Sequence, residues 1–176
     1  MEVALSKLEL RWANRPGESG LVTNYWVGSE GSTFHERAYL DFVVDGRSLG
    51  QLRGVGTTHD LAGCIGWQTD SLPWGEEEEI RLLETLLLER RTELESGQTM
   101  LYVCPECGWD VDCGAITAVV EENNGTVIWR DFGFEGSPQP EENDPLVNYE
   151  AFEGIGPFRF DKRQYREVLL NPPPKS

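Results

Sequence analysis

Ala115-Ile-Thr-Ala-Val-Val-Glu121, Glu122-Asn-Asn124-Gly125 and Thr126-Val-Ile-Trp-Arg-Asp-Phe132 together decide the fold. Two runs rich in β-branched and aromatic residues flank an Asn-Gly pair. That pair suits a turn in which both central residues take positive φ, so the spacing predicts a β-hairpin. Working outward, Asp45-Gly46 sits between candidate strands 39–44 and 48–53 and predicts a second hairpin. Leu8, Leu10 and Trp12 alternate with Glu9 and Arg11, as in a half-buried strand. Further strands are expected over 22–27, 99–103 and 157–160, and residues 54–66, with four glycines, read as a loop.

Helical periodicity is confined to two segments. In 76–91, Ile80, Leu82, Leu83, Leu86 and Leu87 form one apolar stripe, with Glu76 to Glu79 in the first turn and Arg90 and Arg91 in the last. In 161–170, Asp161 is a candidate N-cap, and Gln164 three residues on makes a capping-box-like pattern. Strands and crossover helices do not alternate, which excludes a parallel sheet. The expected fold class is α+β: an antiparallel sheet built from hairpins with two helices packed on it. Residues 1–176 read as one domain. Strands dominate 1–75, and 76–176 carry the first helix, a cysteine knuckle and the C-terminal helix.

Charge narrows the function classes. Thirty-one acids against fifteen bases give a net charge of −16, which disfavours direct binding to a nucleic-acid polyanion. No apolar run is long enough to span a membrane, and the N-terminus lacks the apolar stretch of a signal peptide, so a cytoplasmic protein is expected. Residues 135–153 hold six acids and no base: Glu135, Glu141, Glu142, Asp144, Glu150 and Glu153. Such a run keeps a protein soluble, and it also suits a face for a basic protein partner, as in immunity proteins that neutralise basic nucleases. The run Glu76 to Glu79 is already explained by the helix dipole.

The most specific chemistry is Cys104-Pro-Glu-Cys107-Gly-Trp-Asp-Val-Asp-Cys113-Gly. A Cys-x-x-Cys-Gly turn places two thiolates on one side, and Cys113 can return to the same point. Zinc takes about four such ligands in a tetrahedron. Cys64 and His59 are the candidates for the fourth, with Asp110 and Asp112 as poorer local ones. The alternative is a thiol-dependent oxidoreductase with Cys104 and Cys107 as a redox pair. Against it, no helix opens at Cys107, and Glu106, Asp110 and Asp112 disfavour a thiolate. The two histidines, His35 and His59, have no nucleophile or base beside them in sequence, and no phosphate-binding glycine loop or nucleophile elbow occurs.

The segments 102–114, 127–132 and 156–161 also form a pattern. Tyr-Val-Cys-Pro-Glu-Cys-Gly…Cys-Gly, Val-Ile-Trp-Arg-Asp-Phe and Gly-Pro-Phe-Arg-Phe-Asp occur in that order. The chain here resembles a poorly characterised family of small bacterial proteins. The likeness covers about residues 99–170, with one extra residue between the second and third cysteines. It implies a bacterial cytoplasmic protein and little about activity. The sequence thus reads as a non-enzymatic, acidic interaction protein with a structural cysteine knuckle suited to zinc.

Overall fold

The computed structural model describes residues 4–15, 37–53, 61–66, 75–104, 114–136 and 147–175. The expected strand at 22–27 lies outside them. Within them the chain is α+β, two helices packed on antiparallel sheets, as its patterning predicts.

The first sheet holds β1 (Leu8–Arg15), β2 (Arg37–Val44) and β3 (Arg47–Ser48) in that order. Asp45 and Gly46 between β2 and β3 have φ of 51° and 80°, the positive values the Asp-Gly pair was expected to supply. The second arm of this hairpin is shorter than its sequence suggests. Ser48 Oγ bonds to the Asp41 carboxylate and accepts from the Gln51 amide at 3.0 Å, which draws the chain into a short 3-10 turn at Gln51–Arg53.

The second sheet runs β4 (Ala62–Gly63), β5 (Thr99–Val103), β6 (Ala115–Asn123), β7 (Thr126–Glu135) and β8 (Val147–Asn148). β9 (Phe158–Asp161) also pairs with β7, over Thr126 to Trp129. Asn124 and Gly125 have φ of 48° and 80°, and β6 and β7 pair from Asn123–Thr126 at the turn to Ala115–Glu135. The ladder breaks once: Thr117 faces Gly133 and Val119 faces Arg130, so Asp131 and Phe132 together oppose Ala118. This is a β-bulge, and Asp131 takes the left-handed φ of 52° that an Asp side chain tolerates.

β4 is an addition to the expected loop at 54–66. A glycine is needed there because a Cβ on Gly63 would stand 2.2 Å from the Leu40 carbonyl oxygen. The close approach lets the Leu40 amide donate to the Ile65 carbonyl at 3.0 Å, and this bond joins β2 to the segment that follows β4.

Helix α1 spans Gly75–Leu86, five residues short of the expected end at Arg91. Leu88 adopts φ of 60°, and the amides of Glu89 and Arg90 turn back to the Glu84 carbonyl at 2.9 and 3.3 Å. The apolar stripe continues to Leu87, but this reversal ends the helix, so Arg90 and Arg91 fold back beside α1 instead of occupying its last turn. Helix α2 spans Lys162–Leu170 as expected, and Asp161 Oδ1 accepts from the Gln164 amide at 2.9 Å. The Gln164 side chain does not return to the cap: its Nε2 donates to the Leu8 carbonyl at 2.9 Å and ties α2 to β1.

One hydrophobic cluster draws on both sheets and both helices. Its centre is Trp129, fully buried, with its ring edge-on to Phe42 at 5.3 Å, Phe160 at 5.4 Å and Tyr165 at 6.0 Å. The indole N–H donates to the Tyr165 hydroxyl at 3.2 Å, and that hydroxyl donates to the Leu86 carbonyl at 2.8 Å. The chain links β7, α2 and the end of α1 through buried polar atoms that would otherwise lack partners. Trp12 of β1 is half buried and packs against this cluster. Its Nε1 donates to the Pro173 carbonyl at 2.9 Å, and Lys175 lies 5.5 Å from its ring centre.

Candidate functional site

The bulge in β7 opens an acidic, aromatic groove. Residues 130–132 of β7, Tyr149, Phe152 at the end of the 3-10 turn Glu150–Phe152, and residues 153–157 line a space of about 600 Å3. Phe132 and Phe152, both buried, form its inner wall. Tyr149 stands in the opening, 46% exposed, and the Asp131 and Glu153 carboxylates lie at the rim. Glu150 is exposed beside Tyr149.

Each element of the groove has a local cause. The bulge turns Asp131 outward and leaves its backbone carbonyl to accept from Gln98 Nε2 at 3.0 Å. The same Nε2 donates to the Tyr149 hydroxyl at 3.0 Å, fixing one end of a side chain that remains exposed. Gln98 is buried and its Oε1 accepts from Thr117 Oγ, so both ends of its amide are satisfied. The Glu150 amide donates to Asn148 Oδ1 at 3.0 Å, which starts the turn that presents Glu150 and Glu153.

Arg130 is the one cation among the groove-lining residues, and carboxylates already hold it. Its Nε donates to Glu121 Oε1 at 2.9 Å and its Nη2 to Glu121 Oε2 at 3.2 Å, while Nη1 contacts the Asp131 carboxylate. Those hydrogen bonds hold the Glu121 carboxyl below its ordinary range. Glu121 and Asp131 thus hold the guanidinium, and with Asp131 and Glu153 against Arg130 the groove lining carries one more negative charge than positive.

The expected acidic face is only partly of this kind. Glu150 and Glu153 are exposed, and Glu141, Glu142 and Asp144 lie outside the described residues. Glu135 requires a correction. It is 6% exposed, and Ser96 Oγ donates to its Oε2 at 2.6 Å, so it is part of the sheet's interior and offers no surface to a partner. Burial pushes its carboxyl above the ordinary range, with the Ser96 bond opposing in part. The native state thus holds a proton on Glu135 more tightly than the unfolded chain does. Stability from this group is greatest below the unfolded value of 4.5 and falls as pH rises through the folded value. Glu135→Gln is expected to raise the urea midpoint at pH 7 and to flatten its dependence on pH above 4.5. An unchanged pH profile would show that the carboxyl is not held in this way.

The glutamate run of α1 is also less exposed than a solvated first turn suggests. Glu78 is buried, and Glu79 accepts from the Gly66 amide.

The cysteine residues divide. Cys104 follows β5 and is 4% exposed, whereas Cys107, Cys113 and His59 lie outside the described residues. Cys64 follows β4, and its amide donates to the Leu101 carbonyl at 2.9 Å. It therefore sits opposite Leu101, three residues from Cys104, or about 10 Å along the ladder. Its thiol is fully buried, and burial, with Glu79 adding, pushes it far above the ordinary thiol range. Among the described residues, no three His, Cys, Asp or Glu side chains form a group able to hold a metal ion. The redox alternative needs an accessible thiol, and the buried Cys104 does not offer one. Among the described residues no helix is long and apolar enough to cross a membrane.

Comparison with protein-family models, curated proteins and solved structures gives no match to the chain. The groove was not legible as a site in the sequence. Its one early signal was Glu150 and Glu153 in the acidic run; Asp131 and Tyr149 carried none, because a bulge and a two-residue strand bring them together.

Proposed function

We propose that this chain is an acidic interaction protein that binds a basic protein, immunity-like in using carboxylates to receive cationic side chains, and that the groove beside Tyr149 is where it does so. One observation carries the reading: Tyr149, 46% exposed, lines the groove together with the carboxylates of Asp131 and Glu153, and the exposed Glu150 follows it in the chain. An arginine or lysine side chain is bound well by that combination. The ring attracts the cation by its quadrupole, and the carboxylates accept its N–H groups. The net charge of −16 adds long-range attraction for a basic partner and speeds encounter.

Charge reversal separates the groove from bulk attraction. A nona-arginine peptide is titrated into the wild type, into Glu150→Lys/Glu153→Lys, and into Glu95→Lys/Glu167→Lys, which makes the same charge change at exposed sites elsewhere. The groove variant is expected to bind about tenfold more weakly or worse, from losing charge-assisted contacts of about 1.5–3 kcal/mol. The control should weaken only about twofold to threefold, through screened long-range charge. Equal weakening of the two variants would overturn the groove as the binding site.

A further inference from the structure

The reversal after α1 builds a second cavity, which shares no lining residue with the groove. It holds about 250 Å3 between α1, residues 90–94 and β5. Leu82, Leu94 and Met100 supply an apolar floor, and the guanidiniums of Arg81, Arg90 and Arg91 stand around it. Two carboxylates, Glu78 and Glu93, share the lining, and Glu77 and Glu84 reach Arg81 and Arg90 from beside it.

The cations are loosely held. Arg81 approaches Glu77 at 3.4 Å and Glu78 at 3.6 Å, and Arg90 approaches Glu84 at 3.4 Å. These separations are beyond the roughly 2.7–2.9 Å of a strong charge-assisted hydrogen bond. Arg91 is exposed and makes no ion pair among the described residues. Glu78 is buried, and desolvation raises its carboxyl above the ordinary range, with Arg81 opposing in part. Guanidinium groups in this state keep N–H donors available for a planar oxyanion, whose two oxygens match their fork. The volume is just under the roughly 300–1,000 Å3 of pockets that take drug-sized ligands, so the occupant is small.

We infer that the cavity between α1 and β5 is a binding site for a small monocarboxylate with an apolar body, its carboxylate received by Arg90 and Arg91 and its body laid on Leu82, Leu94 and Met100. This site is independent of the proposed protein-binding groove.

Met100 makes the inference testable, because the chain has only one other methionine, Met1. The full chain, labelled with 13C at the methionine methyls, shows two methyl signals and is titrated with 3-phenylpropanoate and with its neutral isostere 3-phenylpropanamide. The expected result is a saturable shift of the Met100 signal with the carboxylate and binding about tenfold weaker or less with the amide, the loss of one charge-assisted contact. Arg90→Gln/Arg91→Gln changes two side chains beyond the end of α1 and is expected to reduce carboxylate binding by at least the same factor. A Met100 signal that does not move would overturn the site. Equal response to carboxylate and amide, or full carboxylate binding by the double variant, would overturn its anion selectivity and with it the inference.

Discussion

Replacing Trp129 with alanine is expected to lower the unfolding free energy by about 3–5 kcal/mol, the range for removing a large aromatic from a well-packed interior. The reason is position as much as size. Trp129 has no exposed surface, and three aromatic rings meet it edge-on from β2, β9 and α2. Its removal leaves a cavity at the point where both sheets and α2 converge, with too many walls for one side chain to fill it. It also deprives the Tyr165 hydroxyl of its indole donor. Since domains are typically stable by only about 5–15 kcal/mol, this one change takes a large share of the total. Urea unfolding should show a lower midpoint at an unchanged slope. A loss below about 1 kcal/mol, the level of an ordinary substitution, would mean that Trp129 is not the centre of the packing.

Gly63→Ala is the second large effect, expected at about 3 kcal/mol, the upper end for overpacking a close contact. The added Cβ would stand 2.2 Å from the Leu40 carbonyl oxygen and 3.0 Å from the Tyr39 ring. The first of these obstacles is backbone, so no rotamer change relieves it. β4 and β2 must separate, and the 3.0 Å bond from the Leu40 amide to Ile65 is the first to lengthen. Amide exchange gives a direct readout: Leu40 should lose protection beyond the global loss, while Val120 and Trp129 in the β6–β7 ladder follow the global change alone. Uniform loss at all three amides would remove Gly63 from its role as the junction of the two sheets.

The clearest parts of the fold were legible because they depend on residues adjacent in sequence. Asn124-Gly125 and Asp45-Gly46 take the positive φ values their chemistry favours, and the strands beside them follow. Asp161 caps α2 for the same kind of reason: the acceptor and the amide it satisfies are three residues apart. The misreadings arose where a distant partner intervenes. The stripe of α1 runs on through Leu87, yet the helix stops at Leu86 because Leu88 turns the chain back. Gln164 had the spacing of a capping box, but the Leu8 carbonyl, far away in sequence, takes its amide. β4 was hidden in a glycine-rich run because two residues carry no periodicity; it is a strand only because β5 is there to pair with it.

The candidate site shows the same division. Glu135 and Glu150 are both glutamates in one acidic run, and nothing local to either tells them apart. Pairing with Val147 draws Glu135 into the sheet, while the turn after β8 leaves Glu150 outside. Arg90 and Arg91 likewise read as charges at a helix end and become the rim of a cavity when the helix stops early. By itself the sequence determined the α+β class, the two hairpins, the existence of both helices and the net acidity, because composition, turn chemistry and periodicity act over a few residues. Only the tertiary structure decided which acids face water, where Asp131 meets Tyr149, and which guanidiniums surround an apolar floor. Those outcomes depend on ladder register, a bulge and a chain reversal, which bring together side chains far apart in sequence.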